Sequence, residues 1–92
     1  MRGVQDLMDV EGRRLLWRCR RGMKELDILL ERFARSELSG ASAEQRGVFA
    51  RFLELPDPLL VDYLLGQVIP PEPELAELVR RIAAPAPHSS GI

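Results

Sequence analysis

Met23, Leu26, Leu29, Leu30 and Phe33 recur at offsets of 0, 3, 6, 7 and 10, with Lys24, Glu31 and Arg35 falling between them. That spacing draws one apolar stripe along an α-helix and does not alternate across a strand, so a core-facing helix is predicted over about 23–36. No segment shows period-two alternation, and Val and Ile are the only β-branched residues because the chain lacks Thr. Strand-forming sequence is therefore absent, and an all-α fold follows.

The remaining elements are short and punctuated. Residues about 11–20 form a first helix with Leu15, Leu16 and Cys19 inward, ending before Gly22, which suits a left-handed joint between helices. Ser42 and Gln45 have capping-box spacing for a third helix over about 43–54, with Val48, Phe49, Phe52 and Leu53 facing the core. The Leu55-Pro56-Asp57-Pro58 corner stops it, and Asp57 as N-cap with Pro58 next starts a fourth helix over about 58–65. Gly66 is expected as its left-handed cap. Pro70, Pro71 and Pro73 introduce a fifth helix over about 73–84, with Leu75, Leu78, Val79 and Ile82 on one face. Residues 1–10 read as an N-terminal tail, and the Pro/Ser-rich residues 85–92 as a disordered C-terminal tail. The prediction is a single-domain compact bundle of five short helices.

Charge narrows the functional classes. The net formal charge is −1, but residues 1–35 hold nine Lys/Arg against six Asp/Glu, and residues 36–92 hold four against eight. The near-neutral total argues against a general nucleic-acid binder. Arg13, Arg14, Arg18, Arg20, Arg21 and Lys24 nevertheless lie within twelve residues that include no acid, with Trp17 among them. This stretch is either a solvated charged face with Trp17 packed on arginine stems or a protein-docking patch, since Trp and Arg are enriched at interface hot spots.

Catalysis has little to work with. His88 is the only histidine and falls in the tail, so neither a positioned general base nor a Ser-His or Cys-His pair is available. Glu25 and Asp27 are two apart on a helix and point apart. Cys19 alone forms no intramolecular disulfide and no zinc site, and there is no G-x-G-x-x-G sequence for a dinucleotide. No apolar run reaches the roughly 18–20 residues of a membrane span. With no secretory leader evident at the N-terminus, the bacterial cytoplasm is the expected location.

Trp17-x-Cys19-Arg20-Arg21-Gly22-Met23-Lys24-Glu25-Leu26-Asp27, followed by Leu53-Glu54-x-x-Asp57-Pro58, resembles the succinate dehydrogenase assembly factor 2 family, with its RGxxE motif. The resemblance spans roughly residues 11–84. It implies a five-helix flavinylation-factor domain, not an enzyme, that binds the flavoprotein subunit of succinate dehydrogenase, and in some bacteria fumarate reductase. It further implies that this binding promotes covalent attachment of FAD to a histidine of that subunit. FAD is then the group attached to the partner, not a permanent cofactor of this chain, which is expected to be a monomer when free. By position, Arg21, Gly22 and Glu25 carry the family motif on the contact surface, with Trp17, Arg18, Met23 and Asp27 as supporting contacts. The alternatives are a small helical protein- or nucleic-acid-binding regulator using the Arg13–Lys24 face, or a scaffold resembling tetratricopeptide proteins, for which no period near 34 residues is visible.

Overall fold

The apolar stripe of residues 23–36 lies at the centre of the fold. A computed structural model describes residues 9–84, and the expected tails at 1–8 and 85–92 lie outside the described residues. The chain forms α1 (Val10–Arg18), α2 (Lys24–Glu37) running into a 3-10 turn (Leu38–Gly40), α3 (Ala43–Leu53), α4 (Asp57–Leu64) and α5 (Pro73–Ala83), with no strand among the described residues. The five predicted helices are present, and their ends move by one or two residues. Asp9, read as tail, caps α1 through Gly12 N–H at 2.9 Å, so α1 begins at Val10.

Helix α2 packs on α1, α4 and α5, and α5 in turn packs on α3. The core gathers Leu15 and Cys19 of the first segment, Leu26, Leu30, Phe33 and Ala34 of α2, and Phe49, Phe52 and Leu53 of α3. Leu60 of α4 and Leu75, Leu78 and Ile82 of α5 close it. Phe33 and Phe49 meet with ring centroids 5.3 Å apart and planes tilted by 47°, an arrangement aromatic quadrupoles favour. Each such side chain contributes about 1.5–3 kcal/mol on burial. Among the described residues no helix exceeds fourteen residues, so this packing, rather than intrinsic propensity, sustains them.

Three local expectations change. Met23 does not join the α2 stripe; its backbone is extended (φ −120°) at the N-cap, and the side chain is 40% exposed. Asp57 is not the N-cap of α4, because Pro56 occupies that position and frees the Asp57 carboxylate for a distant partner. Gly66 is not left-handed; Gln67 takes that conformation at φ 63°. Gly66 is crowded instead, since a Cβ there would lie 3.0 Å from the Asp62 carbonyl oxygen.

The capping box forms as predicted, with Gln45 N–H on Ser42 Oγ at 3.1 Å and Ser42 N–H on Gln45 Oε1 at 2.8 Å. One turn along, Arg46 is 9% exposed, a burial no local pattern announces. Its Nε and Nη2 donate to the Leu38 carbonyl at 3.1 and 2.8 Å, and Nη1 donates to both Asp9 oxygens at 2.8 Å. The guanidinium therefore joins the Ala41 N–H (3.2 Å) on the Leu38 carbonyl where α2 ends and holds the cap of α1 against α3. The Gly12 N–H first, and Arg46 second, hold the Asp9 carboxyl below its ordinary value of 3.8.

Replacing Arg46 by Met removes its charge-assisted bonds to the Leu38 carbonyl and the Asp9 carboxylate and is expected to cost about 1–3 kcal/mol in urea unfolding. The Asp9 contribution is complete above its unfolded pKa near 3.8 and is lost as pH falls through its lower folded value. The stability gap between the parent and Asp9→Asn should accordingly close in acid. Cys19 is fully buried, its thiol donates to the Leu15 carbonyl at 3.3 Å, and desolvation, helped by Glu31, pushes its pKa up to about 12. Thiol-directed reagents should label it only as fast as the protein unfolds; prompt labelling of the native chain would contradict that burial.

Candidate functional site: a glycine turn braced from beneath

Helix α1 ends with Cys19 N–H on the Leu16 carbonyl and Arg20 N–H on the Trp17 carbonyl, both at 3.1 Å. The chain must then reverse into α2 within a few residues. Gly22 makes that possible at φ +86°, a conformation that costs an L-residue about 1–2 kcal/mol. The turn is held from inside by Asp27 in the first turns of α2. Its Oδ1 accepts Arg21 N–H at 2.9 Å and Met23 N–H at 3.4 Å, and its Oδ2 accepts Gly22 N–H at 3.1 Å. Three successive backbone donors thus converge on one carboxylate, an anion-binding nest filled by the chain's own side chain.

The Arg21 side chain turns inward and is only 16% exposed. Its Nε donates to Asp57 Oδ1 at 2.8 Å, Nη2 to the Leu55 carbonyl at 3.1 Å and Nη1 to the Arg18 carbonyl at 2.9 Å. One guanidinium therefore joins the end of α1, the turn and the α3–α4 corner, through charge-assisted bonds of the stronger kind. The resemblance implied that Arg21 lies on the contact surface; the geometry instead makes it an internal brace. Asp27 is likewise engaged with backbone rather than displayed.

The outward side consists of other residues. Trp17 is 69% exposed, and the Arg20 guanidinium lies 5.0 Å from its ring centroid while pairing with Glu31 at 3.2 Å. Of the arginines expected around Trp17, Arg21 has thus left for the corner, and Arg20 supplies the stacking contact. Arg18 is exposed and reaches the Ala50 carbonyl at 3.3 Å. Met23 is exposed beside Gly22, and a Cβ on Gly22 would meet nothing within 4 Å. Glu25 is exposed at the start of α2 and makes no hydrogen bond or ion pair with the described residues. Its carboxylate is available to an outside partner.

Two surface depressions lie elsewhere. One of about 410 Å³ is lined by Phe33, Leu38, Val48 and Leu78 among others, and one of about 620 Å³ by Tyr63, Ile69, Pro73 and Val79 among others. Neither includes a residue of the 17–27 segment. Among the described residues no group of three or more His, Cys, Asp or Glu is placed to hold a metal ion, and no helix is long and apolar enough to cross a membrane. His88 lies outside the described residues. The sequence reading missed Leu55 and Asp57 as parts of the site: both lie more than thirty residues from Arg21, and no local spacing connects them.

Residues 13–86 match the Sdh5 family, described as the flavinator of succinate dehydrogenase. The chain is 44% identical to the FAD assembly factor SdhE of Coxiella burnetii over 70 residues, which cover 76% of this chain and 85% of that protein. It is 39% identical over 77 residues to the Shewanella oneidensis protein of the same name, covering 84% and 92% of the two chains. Against the Legionella pneumophila (strain Paris) protein, also called FAD assembly factor SdhE, identity is 45% over 69 residues, covering 75% and 86%. These names denote an assembly factor and not a catalyst. The match across most of the chain, on a five-helix fold whose glycine turn lies within the matched residues, establishes that this protein belongs to the Sdh5 family, the flavinators of succinate dehydrogenase.

Proposed function

We propose that the chain binds the flavoprotein subunit of succinate dehydrogenase, and that of fumarate reductase where one is present, through the Gly22 turn and promotes covalent attachment of FAD to a histidine of that subunit. The observation that carries this reading is the turn itself. Gly22 has open space above it, Arg21 and Asp27 brace it from beneath, and Glu25 stands beside it without an internal partner. A bare backbone with an adjacent unpaired carboxylate lets another protein approach closely while offering a charge for it to read. Trp17, Arg18 and Met23 extend that surface.

The factor works by holding the unflavinylated subunit in a conformation in which the subunit's own groups react with FAD. This is a population shift, effective only to the extent that the factor binds the reactive conformation more tightly than the others. FAD is the group transferred to the partner and is not held by this chain. The setting we propose is the bacterial cytoplasm, with the factor a monomer before it meets its partner.

Gly22→Arg and Gly22→Ala share the strain of a positive φ, but only the arginine fills the space above the turn. Both should keep helical circular dichroism and melt somewhat lower. Gly22→Arg should lose binding and leave the flavoprotein non-fluorescent in an in-gel flavin assay, whereas Gly22→Ala should retain much of both. Equal loss in the two would make strain, not bulk, the cause. Glu25→Ala should weaken binding while changing stability by no more than about 0.5 kcal/mol, as at an ordinary surface site. The conformational account is wrong if the purified factor alone attaches FAD to an isolated peptide bearing the acceptor histidine.

A further inference from the structure

Val10, Arg13, Arg14, Trp17 and Arg18 are all exposed along α1 at offsets of 0, 3, 4, 7 and 8, which places them on one side of that helix, opposite buried Leu15. Arg20 continues the side past the helix end, and Lys24 opens α2 across the turn. The acids bordering this surface are already committed. Asp9 and Glu11 lie 2.8 and 3.6 Å from Arg46, Asp27 caps the turn, Asp57 holds Arg21, and Glu31 is shared by Arg20 and Arg35. Arg14 and Lys24 make no hydrogen bond or ion pair with the described residues, and Arg18 is turned onto a neutral carbonyl. Arg14, Arg18 and Lys24 thus carry positive charge with no carboxylate partner among the described residues, in a chain whose net charge is −1.

We propose that this α1 face is an electrostatic docking surface for a carboxylate-rich patch on the flavoprotein subunit, continuous with the Gly22 turn through Trp17 and Arg18. The inference rests on the proposed function and names the chemistry of the partner's facing surface. Charge complementarity selects the occupant: exposed guanidinium and ammonium groups around a Trp–Arg stack suit carboxylates with an apolar contact among them. The face acts mainly on encounter, raising the association rate and orienting the subunit so that Glu25, the exposed acid next to Lys24, meets a cation.

The test is the association rate of the full chain with the purified, unflavinylated flavoprotein subunit of the same organism, followed by stopped-flow or biolayer interferometry between 50 and 300 mM NaCl. The rate should fall about tenfold over that range, as for electrostatically steered pairs. Arg14→Glu should slow association several-fold at 50 mM and flatten the salt dependence, with Arg14→Gln between it and the parent. Lys24→Glu is the folding-safe companion, because an acid in the first turn of α2 is favoured by the helix dipole. A salt-independent rate, or parent-like rates in all three variants while Gly22→Arg still blocks binding, would overturn the electrostatic inference and leave the proposed function standing. No binding of the parent chain at 50 mM NaCl would overturn both. Salt-dependent binding of FAD alone to the free chain, lost in Arg14→Glu, would overturn the assignment of the face to a protein partner.

Discussion

A single guanidinium sets the geometry on which the surface of this protein depends. Arg21 bonds the end of α1, and through Leu55 and Asp57 it bonds the corner between α3 and α4. Helix α1 spans nine residues, too few to be stable alone, and its packing contributes chiefly Leu15 and Cys19 to the core. Without the brace, the reversal into α2 would rest on the Asp27 carboxylate and on a glycine with many accessible conformations. With it, the turn is pinned on two sides, and its outer surface can be bare without being loose.

The same device appears at the other end of α1. Arg46 reaches the Leu38 carbonyl and the Asp9 cap, as Arg21 reaches the Leu55 carbonyl and Asp57. In both cases an arginine donates to a backbone carbonyl at a helix end and pairs with a carboxylate from a distant segment. A chain of 92 residues buries a limited fraction of its surface, and such ties supplement a small apolar core. They also explain why so arginine-rich a segment need not be a uniformly solvated face. Arg21 is withdrawn into the fold, while Arg14, Arg18 and Arg20 remain outside.

The fold was legible where the physics is local. The α2 stripe, the Ser42–Gln45 box, the proline corner and the left-handed Gly22 each follow from spacings of a few residues, and each forms. The reading failed where the decisive partner lies far along the chain. Asp57 looks like an N-cap until Arg21, thirty-six residues earlier, claims its carboxylate. Arg46, which no local pattern singles out, is taken into the fold by Asp9 and the Leu38 carbonyl. Met23 kept the helical spacing of its neighbours yet left the stripe, because the reversal at Gly22 starts the helix one residue later. Of the site residues, Trp17, Gly22, Met23 and Glu25 lie on the outer surface, and Arg21 and Asp27 support it from within. Residue type alone could not separate the two groups, since an arginine serves equally well as a contact or as a brace.

The most direct test of the brace is a double-mutant cycle between Arg21→Met and Asp57→Asn, read by urea unfolding. Arg21 is mostly buried and Asp57 half-exposed, so a coupling of about 1 kcal/mol is predicted, discounted from the value for a fully desolvated pair. Additivity within about 0.3 kcal/mol, with Arg21→Met as stable as the parent but unable to bind the flavoprotein subunit, would contradict the account and make Arg21 a direct contact.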